Sequence, residues 1–340
     1  MYIPLAILLG TTIATQVIAQ DATRTSPKVL IITMFEQEAK PWLENENLGH
    51  KILVPGLNPD YPEVACNEAG LCLMTTAMGF SNAASSVSAV ALNPGFDLTN
   101  TYVVIAGIAG VDPKDGTLGS AHWAKFAVDA DLNHRIDPAE IPDTWADDTI
   151  GLGADTPGEK PKWGAGTEVY ALNSDLVDYA YDVTRNVPLL DGDTATAYRA
   201  HYDQDAAQGK PMVSICDTLS SDTYWHGVNI AESKEKWVAL LTDGKADYCT
   251  TQMEDNATLT ALKRASEAGM LDFDRVTLLR TASNFDRQGK DQSAIESLKS
   301  RSGGFPLATE NAYRVAKAYA DTIMNDWADW EAAPQIKHSE

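Results

Sequence analysis

Side chains able to do chemistry recur in this chain where apolar runs end. Met253 and Glu254 follow the strand-like run Tyr248 to Gln252. Asn284 and Asp286 close a run that begins at Val276 and carries Arg280. The earliest run, Val29 to Thr33, leads into Met34 and Glu38, and the run from Val103 ends in Gly107 and Gly110. Ligands of open α/β sheets bind beyond the carboxyl ends of the strands, so four such ends would bring carboxylates, an amide and a cation to one cleft. Glu254 at a helix start suits the helix dipole. Facing a cleft, the same carboxylate can accept two hydrogen bonds from a vicinal diol. Arg280 lies in an otherwise apolar strand and needs an anionic partner, for which Glu38 is the natural candidate. Asp286, two residues beyond Asn284, is expected on the same strand face.

The elements that must position these groups alternate. Strands are expected over 29–33, 71–77, 102–106, 212–216, 246–250 and 275–282. Helices are expected over 36–44, 168–186, 226–243, 254–268 and 309–330, with another opening at Ser81 as N-cap. Residues 112–166 are rich in Pro, Gly, Asp and Trp and read as elaborated loops around a strand near 123–128. This pattern predicts an α/β fold over 27–332: a single three-layer domain whose mixed, mainly parallel sheet is covered on both faces.

The 340 residues are long enough for a real core, and 44% hydrophobic content argues against disorder. A net charge of −22 disfavours nucleic-acid polymers and anionic membranes as partners. Residues 1–20 read as a secretory signal peptide, which places the protein outside the cytoplasm, periplasmic or extracellular. Beyond that segment no apolar stretch reaches the ~20 residues that span a bilayer. Four cysteines fit export. Cys66 and Cys72 flank a turn, and Cys216 and Cys249 each follow a core strand, although the sequence alone permits all three connectivities. No metal is expected. Asp129, Asp131, Asn133, Asp137 and Glu140 imitate a calcium loop, but His134 replaces the required Gly, and Pro138 and Pro142 spoil the exit helix. Gly107 to Gly110 matches neither dinucleotide nor P-loop phosphate fingerprints, so no cofactor is implied.

Five segments in order carry a resemblance to a known family. They are Val29 to Glu38, Thr76 to Ala84, Ala106 to Gly119, Gln252 to Glu254 and Leu279 to Arg287. Over most of 27–330 the chain resembles the purine nucleoside permease family, whose members look like nucleoside phosphorylases and nucleosidases. The resemblance implies a purine nucleoside as ligand. Glu38 would hold and activate a water, with Arg280 alongside. Met253 and Glu254 would grip the ribose, and Tyr224 or Trp225 would stack on the base. Gly79, Gly107, Gly110 and Ser283 lie in the matching segments and would line the site. Asn284 stands where nucleosidases keep an Asp that protonates the purine. An amide cannot deliver a proton, which leaves Asp286 as the substitute acid. Ile105 and Ile108 occupy the positions where phosphorylases place phosphate-binding Arg and Ser, and this favours water as nucleophile. The function implied is hydrolysis of the N-glycosidic bond. The alternatives are a non-catalytic binding or uptake protein and a phosphorylase, each as a possible homo-oligomer.

Overall fold

Val29–Thr33 is buried at all five positions, as a strand covered on both faces must be. In the computed structural model, which describes residues 24–145 and 147–334, it is the first of a series. In chain order the strands are β1 (Val29–Thr33), β2 (His50–Leu53), β3 (Glu63–Cys66), β4 (Leu71–Thr75), β5 (Tyr102–Val111), β6 (Ala121–Trp123), β7 (Phe126–Asp129), β8 (Asn133–Arg135), β9 (Thr149–Gly151), β10 (Val169–Ala171), β11 (Val213–Ile215), β12 (Asp217–Ser220), β13 (Tyr248–Gln252) and β14 (Val276–Phe285). The expected signal segment lies outside the described residues.

Twelve of these strands join one sheet, in the order β10-β7-β12-β13-β5-β1-β4-β3-β2, with β14 against β5 and β6, and β11 against β6. The sheet is mixed. Strands β4, β1, β5 and β14 run parallel at its centre, while β2 and β3 add antiparallel at one edge. From β1 the chain crosses to β4 on one side, then from β4 back past β1 to β5 on the other. Right-handed crossovers in opposite directions put the intervening helices on opposite faces. Accordingly Glu36–Asn45 packs with the long helix Gly304–Asn325, and Phe80–Ala91 packs with Asp255–Glu267. The sheet is thereby enclosed between two helical layers.

Several elements depart from the sequence-based expectation for local reasons. Strand β5 does not stop at Ala106 but runs to Val111, because β14 pairs with it in parallel as far as Phe285. The stretch expected over 123–128 splits into β6 and β7, because Asp217 accepts the Lys125 and Phe126 N–H groups at 2.9 and 2.8 Å and turns the chain. Residues 169–171 form β10 against β7 rather than helix, and the helix starts only at Ser174, capped by Asn173. Ser81 is not an N-cap. Gly79 holds that place at φ 89°, and Asp222 from a distant segment accepts the Phe80 N–H at 2.7 Å. Both disulfides are present: Cys66–Cys72 across β3 and β4, and Cys216–Cys249 beside β12 and β13. Among the described residues no helix is long and apolar enough to cross a membrane.

Candidate functional site

A cavity of about 300 Å³ opens where the ends of β1, β5, β13 and β14 converge. Its polar lining includes Glu38, Gln252, Glu254, Arg280, Ser283 and Asn284. Of the other expected site residues, Gly110, Tyr224, Trp225 and Met253 also line it. Glu38 sits in the first turns of the helix after β1, and Glu254 in the junction between β13 and its helix. Arg280 comes from the middle of β14. Asn284 follows a register shift between Ala282 and Asn284, and such bulges re-aim side chains.

Glu38 is almost fully buried, yet both its oxygens are held. Oε2 accepts the Met34 N–H and Oε1 the Ile108 N–H, each at 2.7 Å. Burial pushes its carboxyl up from 4.5 to about 7, against the opposing pull of Arg280 and these N–H groups. Burial also raises Glu254, again opposed by Arg280. Glu254 accepts hydrogen bonds from the Gly79 and Met253 N–H groups and from Arg280, all at 3.3 Å. These long contacts leave acceptor capacity for a ligand. Asn284 is oriented from both sides, since its Oδ1 accepts from Ser283 Oγ at 2.8 Å and its Nδ2 donates to the Phe285 carbonyl at 3.0 Å.

Arg280 lies beside Glu38, but its ion pairs run elsewhere. Nε donates to Asp255 at 3.0 Å, Nη2 to Asp255 and Glu254, and Nη1 to the Ile108 carbonyl at 2.9 Å. Burial opposes the charge on Arg280, and Asp255 and Glu254 outweigh it, so the guanidinium stays protonated. The expected Glu38–Arg280 pair is therefore replaced by Arg280 with Asp255, which the first turn of the following helix carries inward. Gly107 makes this crowding possible. A Cβ there would lie 2.6 Å from Arg280 Nη1 and 2.8 Å from Glu38 Oε1.

Asp286 does not join the group. Its carboxylate accepts from Tyr248 Oη at 2.7 Å and from Arg287 Nε at 2.7 Å, and Arg287 also pairs with Asp112. Asp286 lies one residue beyond β14, which ends at Phe285, so the strand alternation that would have put Asn284 and Asp286 on one face no longer fixes its direction. The calcium-like segment also has another use. Asp129 accepts the Asp131 and Leu132 N–H groups, while Asp131 accepts Ser221 Oγ and the Asp222 N–H. These carboxylates brace the segment that leads to Tyr224. Among the described residues, the group of three potential metal ligands is His122, Cys216 and Cys249, and both cysteines are spent in a disulfide.

The sequence reading missed Asp255, Phe35 and Phe305. Asp255 had a signal, an acid adjacent to Glu254 at a helix start with a buried Arg to satisfy. The phenylalanines had none. They come from residues 35 and 305, and their rings stack at 6.1 Å beside the cavity.

The layered mixed sheet places the chain in a fold that solved nucleosidase structures share. The chain is similar to 5′-methylthioadenosine/S-adenosylhomocysteine nucleosidase from Neisseria meningitidis in complex with methylthio-immucillin-A. The TM-score is 0.54 at 16% identity, covering 88% of this chain and 99% of that one. It is likewise similar to futalosine hydrolase of Helicobacter pylori strain 26695, with TM-score 0.54, 14% identity, and 87% and 98% of the two chains covered. At such identities the likeness is one of fold. Residues 26–335 match the family described as purine nucleoside permease, and the chain belongs to that family. A probable purine nucleoside permease of Schizosaccharomyces pombe is 39% identical over 316 residues, covering 89% of this chain and 91% of the relative. A purine nucleoside permease of Candida albicans is 38% identical over 307 residues, covering 88% and 76%.

Proposed function

We propose that the protein binds purine nucleosides in this cavity and hydrolyses their N-glycosidic bond. The observation that carries the reading is Glu38, a cavity-lining carboxyl held by two backbone N–H groups with its pKa near 7. A general base is most effective when its pKa lies near the working pH. Glu254 accepts the ribose hydroxyls, Met253 packs beside them, and Arg280 keeps Glu254 in place. Tyr224 or Trp225 covers the base, whose N7 side faces Asn284. Water attacks the anomeric carbon as the bond to the base breaks, with the bond's electron pair leaving on the base. Glu38 takes a proton from the water. The base collects its own proton from solvent, because Asn284 has none to give. Hydrogen bonds to the sugar hydroxyls strengthen as ribosyl charge develops, as in other glycoside cleavage.

Water is favoured over phosphate because each nitrogen of Arg280 already has an acceptor. A phosphate dianion beside Glu38 and Glu254 would lack a compensating charge. A second reading, binding for uptake without cleavage, draws support from Asn284 and from the engagement of Asp286 by Tyr248 and Arg287. The two disulfides support an oxidising, exported setting.

The test is incubation of pure protein with inosine, guanosine and adenosine, with and without phosphate. Free base without phosphate supports hydrolysis. Ribose 1-phosphate would select phosphorolysis. Saturable binding with an intact glycosidic bond would select uptake.

A further inference from the structure

A second cavity, of about 410 Å³, adjoins the first. The two share Tyr224, Ser283, Asn284 and Phe305 as walls, so the second continues from the end where Asn284 stands, away from Glu38 and Glu254. Its lining differs in charge from the first. None of the lining residues is acidic, although the chain holds 48 Asp and Glu against 26 Lys and Arg. The lining includes Arg301, an exposed residue whose guanidinium has neither an ion pair nor a hydrogen bond within the described residues. His226 joins it, with neither ring nitrogen partnered and its pKa lowered by burial.

The wall carrying Arg301 is well placed to stay put. Ser302 Oγ donates to the Ser283 carbonyl at 3.4 Å and accepts the Gly304 N–H at 3.3 Å. Gly304 packs so close to β14 that a Cβ there would lie 2.4 Å from the Ser283 carbonyl oxygen. Ser300 Oγ is bonded to the Glu296 carbonyl, and Ser297 Oγ to Tyr198 Oη. The neighbouring hydroxyls are thus engaged, which leaves Arg301 as the free charged donor of this cavity.

We propose that this cavity is a subsite for an acidic substituent on the purine, so that the ligands include purine nucleosides bearing a carboxylate at the exocyclic six-position. The inference rests on the nucleoside reading above. With N7 facing Asn284, the adjacent six-position points past that residue into the second cavity. A lone exocyclic oxygen or nitrogen does not need such a volume, whereas a dicarboxylic side chain can be housed there with room for water. Arg301 offers the planar fork that matches a carboxylate. With no acid in the lining, a carboxylate there meets less local repulsion than elsewhere on this acidic surface.

The test compares adenosine, N6-succinyladenosine and the dimethyl ester of the latter by calorimetry at low salt. The ester keeps the side-chain skeleton and removes the charge, adding two methyl groups that a cavity of about 410 Å³ accommodates. The expected result is that the diacid binds about 5- to 10-fold tighter than the ester, the scale of a charge-assisted contact that is partly exposed. In Arg301→Met the ratio falls below about twofold, and in Arg301→Lys it is partly restored. A ratio near one in the native protein, or one that survives Arg301→Met, overturns the subsite. If adenosine binds while the diacid gains nothing, the nucleoside reading stands and the subsite alone fails. If none of the three binds, both fail.

Discussion

The sharpest prediction concerns the proton on Glu38. Its carboxyl is pushed from 4.5 up to about 7. The folded protein therefore holds this proton more tightly than the unfolded chain. Between those two values the native state carries more bound proton, so stability falls as pH rises. The shift corresponds to about 3 kcal/mol at ~1.4 kcal/mol per pH unit. The full benefit is present below 4.5 and is lost by the time pH passes 7. Glu38→Gln removes the titration. It also leaves either the Met34 or the Ile108 N–H without its acceptor, a cost of about 1–3 kcal/mol that does not vary with pH. Urea unfolding of both proteins at pH 4 to 8 separates the two effects. Asp112, Asp115 and Asp129, also raised, to about 6, 7 and 6, titrate in both proteins and largely cancel in the difference. The advantage of the native protein over the variant should shrink by about 3 kcal/mol across that range. A difference flat to within ~1 kcal/mol would refute the claim that burial keeps this carboxyl protonated near neutrality. If the protein hydrolyses nucleosides, kcat/KM should rise with pH through about 7 and then level off.

Arg280→Met leaves Asp255 and Glu254 buried without their cation and should cost about 3–5 kcal/mol in urea unfolding. Adding Asp255→Asn should recover part of that loss, and a merely additive double variant would contradict the pairing. Glu254→Ala should weaken nucleoside binding far more than free-base binding in calorimetry, because the carboxylate serves the ribose; equal losses would contradict that role. Replacing Cys216 and Cys249 together by Ala should destabilise by about 4 kcal/mol, against about 2 for Cys66 and Cys72, since the closed loops span 33 and 6 residues. Thermal unfolding of the two variants should rank them in that order, and the reverse order would rule out loop closure as the cause.

Much of this protein can be read from local sequence. The apolar runs at Val29, Leu71, Tyr102 and Val276 declare buried strands because a strand covered on both faces has no polar alternation. Their spacing with helical segments implies the α/β layers. The positions of Glu38, Glu254 and Asn284 at or near strand ends suffice to place them around one cleft, because that is where such sheets bind ligands, and Arg280 is marked as the one charge in an apolar strand. What needed the tertiary structure was the choice of partner and the direction of each side chain. Arg280 pairs with Asp255 rather than Glu38, because a helix start from β13 reaches it first. Asp286 leaves the cleft because it lies past the end of β14, where Tyr248 and Arg287 hold its carboxylate. Chain order could not reveal that Phe35 meets Phe305, or that Arg301 stands in a cavity without acids. Such contacts depend on packing between residues far apart in sequence, whereas periodicity reports only how each segment meets the core.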